Sequence, residues 1–158
     1  MPQGYDGNAT VQKQIEKTIF EKLKLLLHAD DLERDVDLEL PDEPGMRIRP
    51  DFYSKSQKII GEIHAHLGKL KPAQMRKVAT DVLKLHLYNP ENQYRKYYVV
   101  CCQEEEAQLK GNSYLAAAMR KFNIKVLLIE LCGQEENDLR AAMKKQNMYR
   151  NPAPDTDD

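Results

Sequence analysis

Arg49-Pro50-Asp51-Phe52-Tyr53, followed after a turn-sized Ser54-Lys55-Ser56-Gln57 by Lys58-Ile59-Ile60-Gly61-Glu62-Ile63-His64-Ala65-His66, is the stretch on which the fold turns. Both halves are rich in β-prone residues, and so short a connector joins antiparallel neighbours. Side chains alternate along a strand, so Arg49, Asp51 and Tyr53 share one face of the first, and Ile60, Glu62, His64 and His66 one face of the second. Two carboxylates and an imidazole then converge on one patch. Facing carboxylates repel unless a proton or a cation lies between them, which points to a hard, oxygen-preferring metal ion. The plainer alternative is a solvated sheet face with incidental charges.

Upstream, Val36, Leu38 and Leu40 alternate with Asp35, Asp37 and Glu39, the pattern of a strand with one wet face. Pro41-Asp42-Glu43-Pro44-Gly45 turns the chain into a second strand, residues 46–53, and residues 58–66 form a third, completing an antiparallel meander. Before them, Asn8 or Thr10 caps a helix reaching about His28 on the stripe Val11, Ile15, Ile19, Leu23, Leu26 and Leu27. Glu16 sits at the border of that stripe. It is either an ordinary exposed helix glutamate or a third acid reaching toward the patch.

Downstream, Pro72 fits the first turn of a helix whose apolar face is Met75, Val78, Ala79, Val82 and Leu83 and which ends near Tyr88-Asn89-Pro90. Lys69, Lys71, Arg76 and Lys77 make a positive patch next to the acidic strand end, against the ordinary reading of a solvated face. Tyr97 to Cys102 reads as a central strand, Glu104 to Leu109 as a helical turn, and Ser113 to Phe122 as a helix capped by Asn112. Ile124 to Leu131 is a further buried strand and Gln134 to about Tyr149 an amphipathic helix, so strand, helix, strand predicts a parallel crossover. Residues 1–150 are expected to form one domain, and 151–158, rich in proline and acid, a disordered tail.

The formal net charge of -1 offers no overall basic field, so a polyanion has to be met by a local patch or a bound cation. No apolar run approaches the ~20 residues of a membrane helix, and Met1 to Asp6 lacks the basic-then-apolar order of a secretory signal. Three cysteines, two adjacent at 101 and 102, read as buried thiols of a reducing cytoplasm. His28 and His86 read as helix-end surface residues, and His66 as an exposed strand end.

Pro50-Asp51 followed by Glu62-Ile63-His64 resembles the signature of the PD-(D/E)XK nuclease superfamily, with histidine where the family has lysine. The order of elements, a three-strand meander followed by parallel strands with flanking helices, resembles the restriction-endonuclease-like α/β fold over about Val11 to Leu131. The resemblance implies a metal-dependent nuclease. Asp51 and Glu62 would hold Mg2+ or Mn2+, with the Ile63 carbonyl as a further ligand. His64, in the lysine position, would accept a proton from the attacking water, so that hydrolysis falls as acid protonates it, and Glu16 would assist. Lys69, Lys71, Gln74 and Arg76 would contact nucleic acid, DNA ahead of RNA, with a homodimer left open. Replacement of the lysine equally suits a fold that has lost catalysis and serves as a binding or assembly module. A third reading makes Glu62, His64 and His66 a transition-metal site of another enzyme class.

Overall fold

The computed structural model describes residues 4–88 and 93–150. In chain order the elements are α1 (Gly4–Leu26), β1 (Glu33–Arg34), β2 (Leu38–Glu39), β3 (Arg47–Ile48), β4 (Phe52–Ser54), β5 (Ile59–His64), α2 (Pro72–Leu87), β6 (Arg95–Val100), α3 (Gln103–Lys110), α4 (Tyr114–Lys121), β7 (Ile124–Leu128) and α5 (Gly133–Arg150). Five strands form one mixed sheet in the order β1-β4-β5-β6-β7. The β1–β4 and β4–β5 pairs are antiparallel, and the β5–β6 and β6–β7 pairs parallel.

The sheet is covered on both faces. On one, Phe52, Ile59, Ile63 and Val99 pack with Ile15, Ile19 and Leu23 of α1 and Leu139 of α5. On the other, Tyr53, Ile60, Tyr98 and Val100 meet Val78, Val82 and Leu85 of α2, Leu109 of α3, and Leu115 and Met119 of α4. All six residues of β5 are buried, as expected of a strand with neighbours on both edges and helices above and below. Gly61 is required there. A Cβ at that position would lie 2.1 Å from Phe52 Cζ and 2.6 Å from the Tyr97 carbonyl oxygen, so the Phe52 ring fills the space a side chain would take.

The meander exists, but its strands are not those expected. Residues 46–53 are not one strand: the buried Pro50 carries no amide hydrogen and breaks the ladder between β3 and β4. β3 pairs with β2 in a separate two-stranded sheet, and β1 takes the edge position expected for residues 36–40. The β2–β3 turn relies on Gly45 at φ +84°, left-handed backbone that suits glycine. Arg49 leaves the patch with it: its Nε and Nη2 donate to Asp37 Oδ1 and Oδ2 at 3.0 and 3.2 Å on an exposed surface.

Other boundaries shift for local reasons. α1 begins at Gly4, so Thr10 is inside the helix and does not cap it. Ser113, not Asn112, caps α4, its Oγ accepting from Ala116 N at 3.1 Å. Leu26 and Leu83, assigned to apolar faces, are 55% and 54% exposed. Of the cysteines, Cys101 is buried, Cys102 partly so and Cys132 exposed, all as free thiols. His86 is exposed but stacks on Phe122, with ring centroids 3.9 Å apart. The expected tail at 151–158 lies outside the described residues, as does Asn89-Pro90. Among the described residues no helix is long and apolar enough to cross a membrane.

Candidate functional site

The β4–β5 ladder ends at the Phe52–Gly61 pair, and Asp51 and Glu62 are the residues immediately beyond it on the two chains. Asp51 Oδ2 accepts the Ile63 amide hydrogen at 2.7 Å, which fixes its carboxylate at the seam between the two chains. Glu62 is only 2% exposed. Burial, the charge of Asp51, a hydrogen-bond contact with that carboxyl and the charge of Asp81 together push Glu62 up to about 9, against the pull of Lys84. Near neutral pH this carboxyl therefore keeps a proton unless a cation takes its place. Glu16, from α1, is also raised, first by burial and then by Asp51. Glu16 lies on α1, Asp51 just ahead of β4 and Glu62 in β5, and the charge of Asp51 acts on both of the others.

Sequence reasoning missed most of the counter-charge. Asp81 lies in the apolar stripe of α2 between Val78 and Leu85 and is 4% exposed. Its Oδ2 accepts from Lys77 Nζ at 3.0 Å and from the Tyr98 hydroxyl at 3.3 Å, while Lys84 Nζ lies 3.2 Å from Oδ1. Lys84 also stands 2.8 Å from Glu62 Oε1 and so bridges the strand acid to the helix acid. Lys77 and Lys84 both hold their protons more firmly than usual: burial works against this, but the neighbouring acids outweigh it. A signal was present, since an aspartate four positions after Lys77 and three before Lys84, inside an apolar helical stripe, needs a buried partner. With every acid ionised, as a bound cation would leave them, Glu16, Asp51, Glu62 and Asp81 outnumber the ammonium groups of Lys77 and Lys84 by two. That surplus equals the charge of one divalent cation, and an all-oxygen donor set suits Mg2+ or Mn2+.

No protein-family model, curated protein or solved structure matches this chain.

The remaining expected residues divide. His64 shares the Glu62 face, but its Nδ1 lies 2.5 Å from Glu105 Oε1 of α3, a partner the sequence reading did not name. His66 is not an exposed strand end. It is 7% exposed, because β5 stops at His64, the His66 amide turns back onto the His64 carbonyl at 3.1 Å, and the Cys101 thiol holds the His66 carbonyl at 3.2 Å. The carboxylate beside the two imidazoles is that of Glu105, where Glu62 was expected. Gln74 serves its own helix: its Oε1 accepts from Lys71 N at 2.7 Å, supporting the first turn of α2. Lys69, Lys71 and Arg76 are exposed on the loop and first turn leading into α2.

Proposed function

We propose that this protein is a metal-dependent phosphodiester hydrolase acting on nucleic acid. The observation that carries this reading is the opposed pair of Asp51 and Glu62, with Glu62 pushed up to about 9 in a cluster holding two more acids than bases. In this reading Asp51 and Glu62 hold Mg2+ or Mn2+, which when bound lowers the pKa of a water and neutralises phosphoryl oxygens. Lys84 takes the part of the missing strand lysine: its ammonium, 2.8 Å from Glu62, offers charge to the phosphoryl group from α2. Glu16, made more basic by burial and by Asp51, is the proton acceptor for the attacking water. His64, held through Nδ1 on Glu105, positions the Glu62 strand and is not the base. Lys69, Lys71 and Arg76 meet the phosphate backbone, which carries binding with little base discrimination.

The test is cleavage of single- and double-stranded DNA and of RNA with Mg2+, with Mn2+ and with chelator. Expected is hydrolysis that needs the metal and falls to background in Asp51→Ala. Equal cleavage by Asp51→Ala and the parent protein, both free of contaminating nuclease, would overturn it. One observation favours a non-cleaving binding module as the second reading: Lys84 Nζ already stands 2.8 Å from Glu62 Oε1, beside the oxygen a metal would need. Retention of nucleic acid without turnover across several ions and pH values is the result that selects it.

A further inference from the structure

We propose that His64, His66 and Glu105 form a second metal site, separate from the Asp51–Glu62 pair, that binds a zinc-class transition ion as a structural clamp between β5 and α3. The ligand atoms of the three side chains all lie within 4.8 Å of one another, and the residues are 5%, 7% and 0% exposed. The two imidazole rings are stacked 5.2 Å apart and only 5° from parallel, with both Nδ1 atoms turned to the same carboxylate. His64 Nδ1 is 2.5 Å from Glu105 Oε1, while His66 Nδ1 stands 3.5 Å from Oε2, too far for a good hydrogen bond.

What remains is a pair of orphaned atoms. His66 Nδ1 and Glu105 Oε2 are buried without a hydrogen-bond partner. Native interiors satisfy nearly all such groups, because a buried polar atom left bare costs on the order of 1–3 kcal/mol. A cation bound by both carboxylate oxygens and both Nδ1 atoms satisfies them together. Two imidazoles and a glutamate are a recurrent zinc donor set, and the mixed nitrogen and oxygen donors discriminate against Mg2+. Glu105 itself is fully enclosed, so its carboxylate needs a partner for each oxygen. Its place in the first turn of α3 favours the anion as well.

The test titrates metal-free protein with Co2+ in excess Mg2+, added to fill the carboxylate pair. Expected is one equivalent bound, with visible d–d bands of a low-coordinate nitrogen-ligated ion displaced by Zn2+, and a higher Tm with either metal. Glu105→Gln and His66→Ala lose the bands, whereas Asp51→Asn keeps them, so this site and the proposed nuclease site fail independently. Bands unchanged in Glu105→Gln and His66→Ala, or none in the parent, would overturn the proposal. Should both variants unfold, an anomalous difference map at the zinc edge from crystals of the parent protein grown with Zn2+ decides it. A peak among the three side chains upholds the site, and its absence removes it.

Discussion

Glu62 sets the behaviour of the molecule at the scale of single residues, because its carboxyl is protonated in the folded chain over a range where the unfolded chain has lost that proton. Its pKa rises from 4.5 to about 9 on folding. Between those values the native state binds more protons, so this group's contribution is fully favourable below about pH 4.5 and is lost as pH rises toward 9. For metal-free protein, Tm measured across that window should fall more steeply than in Glu62→Gln, and Mg2+ or Mn2+ should cancel most of the difference. Lys84→Met removes the ammonium beside Glu62 and Asp81. Urea denaturation should register a loss of about 2 kcal/mol, below the ~3–5 expected for a fully enclosed pair because Lys84 keeps 30% of its side-chain surface. Asp51 and Glu62 were legible in the sequence because period-two alternation and a short connector suffice to oppose them. Asp81 left a trace as an acid inside an apolar stripe, but its partners, like those of Lys84 and Glu105, were not legible, since a helix reveals its inward face but not which strand residue that face will meet.

β5 shows at the scale of elements how tightly the site is built. Gly61→Ala should destabilise the fold by about 2 kcal/mol or more, since the added Cβ meets the Phe52 ring and also the Tyr97 backbone, which cannot swing aside. Adding Phe52→Leu should recover only part of that loss, as read from chemical denaturation of the double variant. At α4, Ser113→Ala should cost about 1 kcal/mol through loss of the cap to Ala116, while Asn112→Ala should leave stability nearly unchanged. The long helices and the strands β5, β6 and β7 were readable from periodicity and apolar runs. The two-residue strands β1, β2 and β3 were not, because so short a segment has no period, and their pairing follows from the break at Pro50 and the Asp37–Arg49 contact.

Viewed as a whole molecule, the chain sets Glu62 beside Lys84 of α2 and His64 beside Glu105 of α3 on one face of the sheet, with β5 supplying both, while Glu16 comes from α1 on the other. Metal binding to either cluster should stabilise by mass action, so Tm should climb with added ion concentration and drop on chelation. The opposite face has a different history. Glu16 rides on α1, and α1 is held by Ile15, Ile19 and Leu23 packing with Leu139 and by Lys22 donating to Glu135, both partners on α5. These contacts join segments more than a hundred residues apart. During synthesis, then, α1 can pack on the sheet through Ile63 and Val99, but its contacts with Leu139 and Glu135 form only once α5 has been made, so α1, and Glu16 with it, completes its docking late.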